Sequence, residues 1–213
     1  MMDTFLRAAA AAILLLAAGG CVSQPRIEKL YQDPDAGKAP YERLLVIGVA
    51  GDAAQRRDIE ELLAGRLIAG EVAAIASYTR LGTSPVVLQE AVDEAARDSG
   101  ADAILIAHMV SASVTPEYRE ERADVRSECR GGSPVDLFLY DYKELREPAS
   151  VTFAHEVTMV TNLYDAATGN RIWTIQSTCF EKTEFEAVLQ REAEAIVRQL
   201  RRDGLIAPTR SSG

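Results

Sequence analysis

The sequence predicts an α/β domain built on a mixed sheet of about five strands with a C-terminal β-hairpin, covered by three helices. Short apolar runs alternate with amphipathic helical patterns in the first half of the 213-residue chain. Two alternating segments joined by a tight turn follow in the second half. A long amphipathic pattern then predicts a helix close to the C-terminus.

The first strand–helix unit is predicted over residues 44–69. The apolar run Leu44–Val49 is typical of a strand buried on both faces. Asp52 is placed to cap a helix over residues 53–69, which Gly70 ends. The helical spacing puts these apolar residues on the core side: Ile59, Leu62, Leu63 and Leu67. It assigns these charged residues to the solvent side: Arg56, Arg57, Glu60 and Glu61.

A second unit of the same kind follows. Val72–Ser77 is a weaker, alanine-rich strand, and Ser84 is placed to cap a helix that ends at Gly100. Asp102–Ala107 is a third apolar run. The order strand, helix, strand, helix, strand with short connections favours at least some parallel pairing.

The second half predicts antiparallel strands and a final helix. Thr152–Tyr164 alternates, with Phe153 expected on the same side as Val157 and Met159, and Arg171–Phe180 returns after a glycine-containing turn. A capping-box pattern at Thr183 starts the last helix. Gly204 is expected to end this helix, with the following apolar pair packed back on it.

Residues 115–150 break the pattern and are expected to form a long excursion. Acids and arginines alternate up to Arg130, and a possible strand places three aromatic residues on one side: Phe138, Tyr140 and Tyr142. Long connections in compact domains are often functional. These residues are therefore candidates for partner binding, and the alternative is a solvated surface excursion.

The N-terminus indicates export. Residues 1–20 combine one arginine, a short apolar run and small residues, as in a signal peptide. Ala18-Gly19-Gly20-Cys21 resembles the lipobox of bacterial lipoproteins, which makes Cys21 the expected lipidation site and first mature residue. Cleavage by the ordinary signal peptidase is the alternative. Residues 21–40 are expected to be a flexible tether, 41–206 a single periplasmic domain and 207–213 a disordered tail.

Composition limits the classes of partner. The net charge of −9 disfavours nucleic acid and electrostatic capture by anionic lipid. Cys129 and Cys179 form an even pair in an oxidising compartment, so a disulfide bond is predicted. Two unpaired buried thiols are the alternative.

No catalytic residue, metal site or cofactor is predicted. The two histidines lack a ligand-spaced partner, and the Gly48–Gly51 turn lacks the lysine of a P-loop. His108 follows an apolar strand, where open α/β sheets often hold ligands. It is the one candidate for a small-ligand or hydrolase site, and simple hydrogen bonding is the alternative.

Four segments together resemble a broad group of small periplasmic lipoproteins. They are the lipobox, the opening strand Tyr41–Ile47, Gly100–Ile106 and the hairpin Leu163–Trp173. The group includes the curli-secretion channel lipoprotein and the activators of penicillin-binding proteins, and its domain resembles the amino-terminal domain of the Tol-system β-propeller protein. The resemblance implies a fold and carries over no individual functional residue.

The expected function is that of a non-enzymatic lipoprotein on the periplasmic face of the outer membrane, acting as an accessory or interaction module for an envelope protein. The residues after Cys21 lack the aspartate that resembles an inner-membrane retention signal. An oligomeric secretion-channel-like subunit is the alternative, although the dense charge of residues 115–150 speaks against their insertion into a bilayer. A ligand binder or hydrolase near His108 is a further alternative.

Overall fold

The computed structural model describes residues 24–34, 39–82, 88–120, 122–129, 140–182 and 184–208, and only the backbone of residues 122–129 and 140–147. The strands are β1 Arg26–Gln32, β2 Arg43–Val49, β3 Ala73–Ala76, β4 Ala103–Arg119, β5 Arg122–Cys129, β6 Tyr140–Glu147, β7 Ser150–Asp165 and β8 Arg171–Glu181. The helices are α1 Ala53–Ala69, α2 Tyr78–Leu81, α3 Gln89–Ser99 and α4 Phe185–Arg202.

Six strands form one mixed sheet in the order β1-β8-β7-β4-β2-β3. β2 is parallel to both β3 and β4, as the alternation of strands and helices predicts. The other pairs, β4–β7, β7–β8 and β1–β8, are antiparallel. The predicted α/β class and the C-terminal hairpin are confirmed, and β5 pairs with β6 in a separate ladder.

Helices cover both faces of the sheet. Leu44 and Val46 of β2 belong to the larger core, which α1 and α4 close. Leu45 and Ile47 point to the opposite face, where they pack with Ala95 of α3. The continuous apolar run of β2 is therefore explained by burial on both sides.

The predicted start of α1 and the predicted end of α3 are confirmed. Asp52 caps α1 by accepting a hydrogen bond from the Gln55 backbone at 2.8 Å. Gly100 adopts a left-handed conformation with φ of 63° at the end of α3. The other expected starts are wrong: α3 begins after Leu88 instead of Ser84, and α4 begins after Glu184 instead of Thr183, while Ser84 and Thr183 themselves lie outside the described residues.

The prediction that residues 21–40 form a tether is wrong for residues 26–32. They form β1, whose Arg26 pairs with Thr178 of β8. Ile27 packs against the core, and the Lys29 ammonium lies 2.6 Å from the Asp203 carboxylate. These long-range contacts stabilise a strand in a segment whose surrounding prolines locally favour a flexible tether.

Asp203, at the end of α4, connects this helix to β1 and β8 through hydrogen bonds. Its carboxylate accepts hydrogen bonds from the Trp173 indole at 2.8 Å, from Lys29 at 2.6 Å and from Gln199 at 3.1 Å. Burial would raise the pKa of Asp203, but these donors outweigh burial, and the pKa is lowered.

Replacing Asp203 with alanine is expected to destabilise the domain by about 1–3 kcal/mol, because the indole N–H of the buried Trp173 loses its acceptor. Exchange of the backbone amide hydrogens of β1 should also be faster in this variant. Glu28→Ala, an exposed change on the same strand, is the control. Denaturant unfolding and hydrogen–deuterium exchange measure both effects, and equal behaviour of the two variants would contradict the role of Asp203.

The assignment of Arg56 and Glu60 to the solvent side of α1 is wrong. Both side chains are almost completely buried, at 1% and 0% exposure, and their charges pair at 2.9 Å. α1 approaches the end of β2 closely here, and a Cβ added to Gly48 would lie 2.7 Å from the Arg56 carbonyl oxygen. The glycine therefore permits the contact that buries the pair.

Candidate functional site

Beyond the body of the sheet, β4 and β7 continue as a two-stranded ribbon. The pairing of β2 with β4 ends at Val49 and His108, and the pairing of β8 with β7 ends at Glu181 and His155. We define the arm as residues 111–119 of β4 paired with residues 150–158 of β7. The β4 edge of the arm, and its β7 edge over residues 150–154, therefore have no neighbouring strand among the described residues.

The paired strands β5 and β6, with the residues that connect them, are called the outer hairpin below, and they continue the arm in the same register. Arg119 pairs with Ser150, and Arg122 pairs with Glu147, so each strand advances by three residues across the break. The ladder ends at the pair Cys129–Tyr140. The two ladders thus follow each other from the pair Ala103–Asp165 out to the pair Cys129–Tyr140, and the expectation of a loosely structured excursion over residues 115–150 is wrong for its paired parts.

The arm is amphipathic. The two-residue period of a strand places Val114 and Tyr118 on the same face, which also carries Val151, the partner of Tyr118, and Phe153, the partner of Pro116. These four side chains are 49–78% exposed. The opposite face is polar and carries Ser113, Thr115, Glu117, Thr152 and Glu156.

The apolar face of the arm continues the face that α4 covers in the body. Val157 and Met159 are buried under the helix, as predicted, whereas Phe153 on the same side is 54% exposed. The difference arises because α4 begins at Phe185, whose ring lies 6.0 Å from that of His155. Beyond this contact, the described helices leave the strand face open.

The predicted partner-binding aromatics belong to the region of the outer hairpin. Tyr140 and Tyr142 lie in β6, where their backbones pair with Cys129 and Ser127. Their side chains, together with Phe138 and the lipidation candidate Cys21, lie outside the described part of the structure. Their roles stay predictions.

Cys179 is buried in the core on β8, where it pairs with Val157 of β7, and it forms no disulfide bond with any described side chain. Burial, assisted by the nearby charges of Glu192 and Glu181, raises the pKa of this thiol to about 12. The side chain of Cys129 is outside the described part, so the predicted disulfide stays a prediction.

His108 does not end its strand, contrary to the expectation for a ligand site beyond a strand terminus. β4 runs on for another eleven residues, and His108 pairs with Val49 on one side and Val160 on the other. Its side chain is exposed. Among the described residues, no group of three His, Cys, Asp or Glu side chains is placed to hold a metal ion.

A buried carboxyl group on the sheet-facing side of α4 was not predicted from the sequence. Glu192 has no exposed surface, and burial raises its pKa to about 7. Neither carboxylate oxygen has a hydrogen-bond partner in the structure, and the buried Thr161 hydroxyl has none either. The amphipathic pattern of α4 predicts its apolar face but gives no signal that a glutamate belongs to it.

The described residues contain no helix with the length and apolar character needed to cross a membrane. Comparison with protein-family models and with curated proteins yields no match. Several solved structures are similar in part, and the three described here are covered over nearly their whole length. The PelC dodecamer from Paraburkholderia phytofirmans is 15% identical, with 86% of this chain and 100% of that chain covered and a TM-score of 0.48.

Two further similar structures are described as lipoproteins. Lipoprotein GNA1162 from Neisseria meningitidis is 12% identical over 75% of this chain and 98% of that chain, with a TM-score of 0.41. A minor lipoprotein from Acinetobacter baumannii is 13% identical over 78% and 97%, with a TM-score of 0.36. At TM-scores below 0.5, the likeness carries no argument about function.

Proposed function

We propose that this chain is a non-enzymatic lipoprotein that is anchored through Cys21 on the periplasmic face of the outer membrane and binds another envelope protein through its outer hairpin. The observation that carries the proposal is the β5–β6 ladder, which follows the β4–β7 ladder outward from the pair Arg119–Ser150. A paired ribbon of this length buries no core of its own, so its formation is more readily explained by an external partner. The resemblance to the periplasmic lipoprotein group supports the same assignment, without a cofactor or nucleic acid.

The chemistry of the outer hairpin fits a protein partner. Aromatic residues are enriched at the centres of protein interfaces, and the region 138–142 contributes one Phe and two Tyr. Acids and arginines alternate in the preceding strand, β5, and charges of both signs favour a specific, oriented contact. The unpaired strand edges add backbone donors and acceptors that a partner strand can use.

The same edges favour a second candidate, an oligomeric subunit in which the strand of a neighbouring copy pairs with β4. Exposed edges are templates for such pairing unless charges or prolines protect them. Pro116 and Glu117 interrupt this edge of β4 only near its end. Sizing of the detergent-solubilised protein separates the two candidates, because a ring is several times larger than a monomer.

Removing residues 121–148 and joining Glu120 to Ala149 through an Asn-Gly turn is expected to abolish partner capture. Because the register is the same on both sides of the junction, the shortened hairpin should keep the pairing between β4 and β7. In-cell cross-linking followed by mass spectrometry of envelope extracts measures the captured proteins.

The matched control replaces only residues 130–139 with a turn, which leaves the paired strands β5 and β6 in place. Loss of the partner in both variants assigns binding to the connection that contains Phe138. Loss in the longer deletion alone assigns it to the strands. An unchanged set of cross-linked proteins in both would refute the proposed role of the outer hairpin.

A further inference from the structure

The N-terminus enters the sheet at the base of the arm. Arg26 pairs with Thr178 of β8, Thr178 pairs with Thr158 of β7, and Thr158 pairs with Ser111 of β4. These four residues form one row across the sheet. Because β1 runs antiparallel to β8, the chain that precedes Arg26 leaves the sheet on the side to which the arm projects.

The link from the proposed lipid anchor to this row is short. Four residues separate Cys21 from Arg26, namely Val22, Ser23, Gln24 and Pro25. Even a fully extended chain spans at most about 18 Å over five residue steps. The expected tether of residues 21–40 would have spanned several times that distance, so the pairing of β1 changes how closely the body is held.

The arm is longer than this link. From Ser111 to Arg119, β4 extends eight residues beyond the row of Arg26, which corresponds to about 27 Å at the usual rise of a strand. The outer hairpin continues the ladder from Arg122. With a link of at most about 18 Å, a ribbon that projects about 27 Å or more on the same side lies within reach of the lipid.

We propose that the apolar face of the arm rests on the lipid bilayer in which Cys21 is anchored, with Tyr118 and Phe153 at the level of the headgroups. The inference rests on the proposed lipidation. Val114 and Val151 extend the same face, and the four side chains are exposed in the isolated chain. Tyrosine suits this depth because its ring is apolar and its hydroxyl is polar.

The contact is apolar and not electrostatic. The chain is acidic, and the opposite face of the arm carries Glu117 and Glu156, which stay on the water side. Glu117 is also fixed by an ion pair with Lys182 at 2.5 Å. Contact through one face leaves the outer hairpin and the strand edges available to the protein partner.

The test places a tryptophan on each face of the arm and measures quenching by lipids with brominated acyl chains. Tyr118→Trp probes the apolar face and Thr115→Trp, three residues away, the polar face. The single native tryptophan, Trp173, is fully buried and supplies the background. Both variants carry Cys129→Ser, and the mature chain is coupled through Cys21 to a maleimide lipid in phosphatidylcholine vesicles, since Cys179 is buried.

Quenching is expected for Tyr118→Trp at several times the background, and at background level for Thr115→Trp. Absence of quenching at both positions, or equal quenching at both, would overturn the proposal. It would also be overturned if a second copy of the chain covered the tryptophan of Tyr118→Trp and so protected it from quenching by lipid. Because the maleimide supplies the anchor, the result does not depend on natural lipidation. Mass spectrometry of the N-terminal peptide from cells tests lipidation separately, so failure of the anchor and failure of the bilayer contact are distinguishable.

Discussion

Replacing Glu60 with alanine is expected to destabilise the domain by about 3–5 kcal/mol, the range found when one partner of a buried ion pair is removed. The carboxylate is the centre of a buried network. Its oxygens accept hydrogen bonds from the Arg56 guanidinium at 2.9 Å, the Ser77 hydroxyl at 2.7 Å, and the backbone N–H groups of Gly48 at 3.0 Å and Tyr78 at 2.6 Å.

The size of the effect follows from what the substitution leaves behind. The Arg56 guanidinium would remain almost completely buried without its carboxylate, keeping a hydrogen bond to Ser77 at 3.0 Å. The backbone donors of Gly48 and Tyr78 would also lose their acceptor, and each unsatisfied buried group costs about 1–3 kcal/mol. Because these donors belong to β2, the end of β3 and the start of α2, the network joins three elements to α1.

The helix provides its own control. Arg57 and Glu61 form an ion pair with the same spacing, one position further along, at 2.8 Å and with side chains 56% and 44% exposed. Glu61→Ala is expected to change stability little, because exposed pairs are screened by water. Urea unfolding followed by circular dichroism measures both variants, and a similar loss for each would show that the network is not a main source of stability.

The helical spacing itself separates these two pairs. Positions 56 and 60 lie three residues before Ile59 and Leu63, at the edge of the apolar stripe, whereas 57 and 61 lie on the other side of the helix. Charge alone assigned all four side chains to water. The partners that make burial of Glu60 possible lie elsewhere in the chain, at Gly48 and Ser77, which reach Glu60 only after β2 and β3 have paired.

Elements determined by local chemistry were predicted well. The turn between β7 and β8 forms because the Asp165 carboxylate accepts the backbone N–H groups of Ala167 at 3.0 Å and Thr168 at 2.8 Å. These contacts span two or three residues, and a sequence pattern contains both partners. The cap at Asp52 is predictable for the same reason.

Pairing over long sequence separations was the main source of error. β1 finds its partner β8 about 150 residues away, and its prolines and charges gave a stronger local signal for a tether. In the arm, Val114, Pro116 and Tyr118 do show the two-residue period of a strand. The surrounding charges concealed that period, and the register with residues 150–158 was needed to interpret it.

Replacing Glu192 with glutamine is expected to flatten the dependence of stability on pH between about pH 5.5 and pH 8. The pKa of Glu192 is raised in the folded chain from 4.5 to about 7, chiefly by burial. For an acid whose pKa is raised in the folded chain, the stabilising contribution to the free energy of unfolding is fully present below the unfolded-state pKa, here near 4.5. It is lost as the pH rises through the folded value near 7, since the folded chain must then bury a carboxylate.

The magnitude follows from linkage. With these two pKa values, ionisation of Glu192 lowers the free energy of unfolding by about 2 kcal/mol between pH 5.5 and pH 8. Asp165 and Asp203 have lowered pKa values, so their contributions are lost in acid, below this window. The Cys179 thiol, with a pKa of about 12, stays neutral throughout.

A matched control separates the buried carboxyl group from the rest of the helix. Glu194 lies two residues further along α4, where its half-exposed side chain pairs with Arg66 at 2.7 Å. Glu194→Gln should keep the slope of the wild-type chain, whereas Glu192→Gln should remove about 2 kcal/mol of pH dependence. Because glutamine leaves a buried polar group at every pH, only the slope of stability against pH is diagnostic. Equal slopes for wild type and Glu192→Gln would mean that Glu192 ionises freely, and hence that α4 does not bury it in solution.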